Sequence, residues 1–211
     1  MTHVTDSRPV TLDKDVDGKN ADDNGLDGKD ADGTGADGLD EEALTGPVRD
    51  DLFGDITVLL NDEEGWVEVL GDAIPPVAVD RAPEAETEDH VPIGTRDPAR
   101  LTMTVDGEPV ALVPSKGKLS RRSYAVDVTR GGTVYRLVPD SIAGSRLLKD
   151  GQHLGDFSSD GDGRVLAEWK EGADVAPADA SVGYALAAAF GTGGQPMWMV
   201  AIEAAAELLP G

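Results

Sequence analysis

The densest run of chemically active side chains is PSKGKLSRR, in which Lys116, Lys118, Arg121 and Arg122 fall within seven residues. Ammonium and guanidinium groups held this close form charge-assisted hydrogen bonds to phosphate or carboxylate oxygens once the chain turns them to one side. Arg130 and Arg136 follow on neighbouring predicted strands, and Arg146 and Lys149 complete the basic stretch. Residues 116–149 carry a net charge of +6, whereas residues 1–115 carry −21 and residues 150–211 carry −8. A cationic island in an acidic chain is therefore the candidate site. Its expected anion- or partner-binding residues are Lys116, Lys118, Arg121, Arg122, Arg130 and Arg136. The competing reading pairs each cation with an acid elsewhere on the surface, where charge needs no function.

Other constellations carry less chemistry. Asp13-Lys-Asp15-Val-Asp17-Gly18 matches the first half of a calcium loop, but Asn24 stands where a bidentate Glu belongs. A second partial match from Asp156 has Ala167 at that position. Gly191-Thr-Gly193-Gly194-Gln-Pro196 has Pro at the third glycine of a dinucleotide fingerprint and follows a predicted helix, so it reads as a helix–helix connector. His3, His90 and His153 fall in a tail, a linker and a hairpin. A triad drawn from His153, Asp150 or Asp156, and Ser158 lacks a nucleophile elbow and places Asp150 in a turn. The acid pairs Glu63/Glu64 and Asp160/Asp162 are turn residues with no burial to tune them. With no cysteine in the chain, thiolate chemistry and Cys-ligated metal are excluded. No catalytic residue, metal site or cofactor is expected.

The elements that position the island are mostly strands. Ile56–Leu60, a polar NDEEG turn and Trp66–Leu70 predict a hairpin. Residues 73–98 are rich in Pro and acid and read as a long extended connection with a short edge strand at Val77–Val79. From Leu101 to Trp169, period-two alternation broken at Asp106-Gly107, Gly131-Gly132 and Asp150-Gly151 predicts an antiparallel meander of six to seven strands. Ala178–Phe190, stopped by Gly191, predicts a helix, and Pro196 opens a second over Met197–Leu209. The polar Gly-rich break between them divides the apolar stretch too early for a membrane span.

Composition sets the frame. All nine aromatic residues lie between Phe53 and Trp198, and residues 13–42 are a low-complexity Asp/Gly run. Such a run buries too little apolar surface to offset its ordering entropy. Residues 1–47 are thus expected to be a disordered acidic tail, and residues 48–211 the folded domain. A net charge of −23 opposes non-specific binding to nucleic acid or anionic membranes. The absence of a basic n-region and an apolar h-region after Met1 suits a cytoplasmic protein. Low Lys, Asn and Ile beside high Ala, Gly, Asp and Val suggests a high-G+C bacterial coding bias.

Strand–turn units such as YRLVPDSIAGSRLLKDGQHLGDF, followed by the helical YALAAAFGTGG, resemble the tubby-like and LURP-one-related β-barrels over roughly residues 55–211. In that family a sheet wraps around a hydrophobic helix, and some members bind phosphoinositide headgroups through basic residues. The resemblance implies such a role for Lys116, Lys118, Arg121 and Arg122. The two predicted C-terminal helices and the low strand count depart from the family pattern.

The fold class expected is α+β and β-rich: an antiparallel meander curled into a barrel or two-layer sheet, two C-terminal helices and a disordered N-terminal tail. The function expected is that of a cytoplasmic binding or adaptor domain recognising an anionic ligand or protein partner, not a specific nucleic acid. The alternatives are a structural or interaction component of a larger assembly, with Met197, Trp198 and Met199 as a docking face, and an unrecognised hydrolase.

Overall fold

The structure is a computed structural model that describes residues 46–117, 120–141, 144–159 and 161–192. The expected tail, the second helix at Met197–Leu209 and the Asp13–Gly18 calcium-loop match lie outside the described residues. Twelve strands and one helix make up the rest. The strands are β1 (Val48–Asp50), β2 (Gly54–Asn61), β3 (Trp66–Gly71), β4 (Val77–Arg81), β5 (Leu101–Val105), β6 (Glu108–Pro109), β7 (Ala111–Pro114), β8 (Val126–Arg130), β9 (Thr133–Pro139), β10 (Gly144–Lys149), β11 (Gln152–Ser159) and β12 (Val165–Trp169). The helix, α1, spans Pro177–Phe190.

Sequential strands pair antiparallel in two six-stranded sheets, one from β1 to β6 and the other from β7 to β12. Local chemistry explains the ladder. Alternating burial along Val67, Val69, Val77, Val79, Met103 and Val105 gives the first sheet an apolar inner face. Leu112, Val126, Val128, Tyr135, Leu137, Leu147, Leu154, Phe157 and Val165 do the same for the second. Asp106-Gly107 and Asp150-Gly151 sit at hairpin tips with both residues at positive φ (56° and 74°; 49° and 85°), the geometry of the two-residue turns whose twist matches the flanking strands.

The helix runs between the sheets and packs on strands of both. Every residue from Asp179 to Phe190 is buried. A helix apolar on all sides is stable only when enclosed, and Ala180, Gly183, Ala185, Ala187, Ala188 and Ala189 let the strands approach its backbone. Pro177 opens the first turn, where its missing N–H costs nothing. The Asp179 carboxylate accepts the Ala176 N–H at 2.9 Å, and Gly191 ends the helix at φ 68°.

Three expectations need correction. The sheets do not close into a barrel. Residues 108–114 are one bent segment whose first part pairs with β5 and whose last part pairs with β8, but β1 and β12 meet through side chains and share no backbone ladder. The strand near Val77 is not an edge: β4 lies between β3 and β5 and is paired along its length on both sides. The two ends of the 73–98 stretch join the core, with Ile74, Val91 and Ile93 buried and the Ile93 N–H donating to the Ala189 carbonyl of the helix at 2.9 Å. Finally, the stretch from Leu101 to Trp169 contains eight strands, because the predicted return strand from Pro109 is broken at Val110 into β6 and β7.

Two buried carboxylates tie the helix to the sheets. Asp50, 3 % exposed, accepts from the Leu52 N–H (2.8 Å), the Phe53 N–H (3.0 Å), Trp169 Nε1 (2.9 Å) and the Tyr184 hydroxyl (2.8 Å). Asp179 accepts from the Tyr135 hydroxyl and from Lys149 Nζ, both at 2.8 Å. Burial, reinforced by these carboxylate hydrogen bonds, pushes the Tyr135 and Tyr184 phenols well above their ordinary value. Unfolded tyrosine ionises near pH ~10, so above that pH the native chain holds more protons than the unfolded one and stability falls as pH rises. An alkaline titration is therefore expected to show the phenolate absorbance of these two tyrosines appearing together with loss of tertiary structure. Their ionisation in a still-folded chain would contradict this assignment.

Candidate functional site

The basic run lies in the loop joining β7 to β8, and the neck of that loop is closed by a buried arginine. Arg96 is 4 % exposed. Its Nε donates to the Ser115 carbonyl at 2.8 Å, and its Nη2 donates to the Tyr124 carbonyl. The guanidinium also stacks between two rings, 5.5 Å from the Tyr124 centroid and 5.2 Å from that of Phe190. Burial lowers Arg96 to about 10, with Glu88 the larger of the influences that oppose it. Over the alkaline range this group works against the two tyrosines, since its native state sheds its proton first. Directly below, the Ser115 N–H donates to the Ala125 carbonyl at 2.9 Å. Gly117 is at φ 69°, and a Cβ there would stand 2.2 Å from the Tyr124 ring, so the loop folds down onto that ring only with glycine at this position.

On this neck, Arg121–Tyr124 form a 3-10 turn, with Arg122 exposed and Arg121 half-buried. Lys116 is exposed on the other limb of the loop. Lys118 lies outside the described residues. Lys116 also lines a cleft of about 500 Å³ with Glu84, Glu86, Glu88, Asp97 and Arg100, and Arg100 is already bonded to Glu84 at 2.7 Å. Acidic groups thus surround Lys116 on that side. Arg121 and Arg122 do not line this cleft.

The remaining cations do not gather here. Arg130 ends β8 four residues beyond Val126, about 13 Å along the strand from the loop neck. Arg136, on β9, makes a two-pronged bond to Asp127 on β8 (2.6 and 2.8 Å), which raises it above the ordinary arginine value. Arg146 donates from Nε and Nη2 to one oxygen, Oδ2, of Asp140 (3.1 and 2.7 Å), and Lys149 is bonded to buried Asp179. The island of the sequence is therefore a loop patch plus a set of ion pairs along β8, β9 and β10.

The other sequence candidates resolve into structural roles. His153 Nε2 lies 3.1 Å from Asp156 Oδ1 and 3.2 Å from the Gly155 carbonyl. Asp150 instead accepts the Val134 N–H at 2.9 Å, tying the β10–β11 turn to β9. His90 lies 3.9 Å from Glu88. Thr192 Oγ1 accepts the Ser159 N–H at 2.8 Å and donates to its carbonyl at 3.0 Å, tying the end of the helix to β11. Among the described residues no group of His, Asp and Glu is placed to hold a metal ion, and no helix is long and apolar enough to cross a membrane.

A second cleft, of about 540 Å³, lies between the β2–β3 turn and the 82–97 connection. Buried Arg81 lines it with Nη2 donating to the Glu63 carbonyl (2.6 Å) and Nη1 to the Ile93 carbonyl (3.2 Å). Arg81 and Arg96 are the site-forming residues that the sequence conceals. Both sit in or beside an acidic, proline-rich stretch, where a lone arginine looks like a solvated charge. Comparison of the chain with protein-family models, curated proteins and solved structures finds no match.

Proposed function

We propose that the chain is a binding or adaptor domain that takes an anionic ligand or partner on the loop carrying Lys116, Lys118, Arg121 and Arg122. The observation that carries this reading is the Arg96 clamp. A buried guanidinium is bonded to both carbonyls at the neck of the loop and stacked on two rings, and holding it in place costs solvation. A fixed loop loses less entropy on binding than a mobile one. The strand cations Arg136, Arg146 and Lys149 are bonded to Asp127, Asp140 and Asp179, whereas Lys116 and Arg122 on the loop are exposed. An apolar helix enclosed between antiparallel sheets also supports the tubby-like resemblance, and with it a phosphate-bearing headgroup as the ligand chemistry.

The test uses the full chain and vesicles of phosphatidylcholine with or without phosphatidylserine, across a salt series. Retention on the anionic vesicles is expected to fall steeply with salt, and to be lost when Lys116, Arg121 and Arg122 are all changed to Glu. Arg96→Met is expected to weaken binding by unfastening the neck, although it removes no charge from the exposed face. Equal retention of the wild type and the triple variant would defeat the proposal.

A further inference from the structure

The cleft between the β2–β3 turn and the 82–97 connection has a floor and a rim of opposite charge. Its floor is Arg81, 9 % exposed. An arginine side chain carries five N–H groups, and here Nη2 donates to the Glu63 carbonyl and Nη1 to the Ile93 carbonyl. Its Nε has no hydrogen-bond partner among the described residues, and no carboxylate pairs with the guanidinium there. A buried cation that meets carbonyls alone keeps an uncompensated charge. The tip of the side chain is the part set in the cleft wall. Glu63 and Gly94 both line the cleft, and a Cβ at Gly94 would overlap Nη1, whereas Gly65, packed over Nε, is not part of the lining.

Asp62 and Glu63 on the β2–β3 turn, with Glu88 and Asp89 on the connection, form the rim, and all four are exposed. Glu88 accepts the Arg96 N–H at 3.2 Å and lies 3.9 Å from His90. The carboxylates of Asp62, Glu63 and Asp89 make no hydrogen bond or ion pair among the described residues. Four carboxylates against one guanidinium leave an excess of negative charge, counting His90 as neutral. A simple cation would satisfy the rim and leave the guanidinium unmet, and a simple anion would be repelled by the rim. A ligand that answers both layers has one carboxylate and more than one cationic group.

We propose that this cleft binds a free basic amino acid of the lysine type. Its carboxylate accepts from the Nη N–H groups of Arg81 that the two carbonyls leave over, a charge-assisted contact. Its α-ammonium and side-chain cation pair with the carboxylates of the β2–β3 turn and of the connection. A cleft of about 540 Å³ has room for such a molecule. None of the lining residues belongs to the basic loop, so this site stands or falls apart from that one.

The test titrates the isotope-labelled full chain with L-lysine, with cadaverine (lysine without its carboxylate) and with L-glutamate, followed by NMR. Lysine is expected to give saturable shifts at the Thr87, Gly94 and Gly161 amides. Its affinity is expected to exceed that of cadaverine at least about tenfold. The order is diagnostic, because cadaverine carries the larger positive charge and an acidic surface alone would prefer it. Glutamate is expected to give no saturable shift. Asp62→Asn combined with Asp89→Asn removes rim charge from two exposed positions and is expected to weaken lysine binding about tenfold. Arg81→Met is expected to abolish the preference for lysine over cadaverine. Should that variant not fold, the wild-type comparison of the two carries the test. Cadaverine binding as tightly as lysine, or no saturable shift with lysine, overturns the proposal. So does lysine binding that is unchanged in the double Asn variant.

Discussion

Asp50→Ala is expected to lower the stability of the folded domain by about 3–4 kcal/mol, read as a shift in the denaturant midpoint at unchanged slope. The carboxylate serves donors from three parts of the chain: the backbone just after β1, the Trp169 indole at the end of β12 and the Tyr184 hydroxyl in the middle of the helix. Each buried donor left without an acceptor costs about 1–3 kcal/mol. A domain of this size has roughly 5–15 kcal/mol in total, so the loss is a large share of it. Asp50→Asn keeps an acceptor oxygen and is expected to recover part of the stability. If Asp50→Ala unfolds at the wild-type denaturant concentration, Asp50 does not join β1 and β12 to the helix.

The second large effect is expected from Gly183→Ala. In most buried helices this change stabilises, because alanine is the better helix former by about 1 kcal/mol. Here the sign reverses. A Cβ on Gly183 would lie 2.3 Å from Phe157 Cζ and 3.0 Å from Leu147 Cδ2. Phe157 has no room to yield, since its ring makes edge-on contacts with Trp169 at 5.4 Å and Tyr184 at 5.5 Å. Overpacking of this kind costs about 1–3 kcal/mol, and the net loss is expected near the upper end once the Phe157 stack shifts. A thermal unfolding midpoint above that of the wild type would show that the helix and β11 are less closely packed than the structure has them.

Both effects come from contacts that no local stretch of sequence reveals, and the same division runs through the whole molecule. The hairpins at Asp106-Gly107, Gly131-Gly132 and Asp150-Gly151 are legible because a two-residue turn and the alternation beside it are encoded within about ten residues. The helix is legible for the same reason, and its lack of any polar face already implies enclosure. The Val77–Arg81 strand was readable as a strand but not as an inner one. Its place between β3 and β5 depends on residues twenty or more positions away, and the flanking prolines suggested an edge.

The basic run shows where reading by residue type stops. Lys116, Arg121 and Arg122 are recognisable as a cluster because they are neighbours in sequence. Whether a cation is available depends on what lies across the ladder from it. Arg136 faces Asp127 and Arg146 reaches Asp140, while Arg122 is exposed on a turn above a clamped neck. Arg96 acts on carbonyls 19 and 28 residues away, a relation created only when the 82–97 connection folds against the loop.

Sequence alone thus determined the local vocabulary of this protein: strands, turns, one wholly apolar helix and a charge map with a basic interval in an acidic chain. Those properties arise from backbone preferences and side-chain periodicity, which act over a few residues. The tertiary structure decided the division into two sheets at the bend through Val110, the missing ladder between β1 and β12, and which charges are neutralised. It also brought Asp50 to Trp169 and Tyr184, 119 and 134 residues away. Such contacts depend on packing and hydrogen-bond satisfaction across the whole core, and the partner of each buried group is settled only when every strand has taken its place.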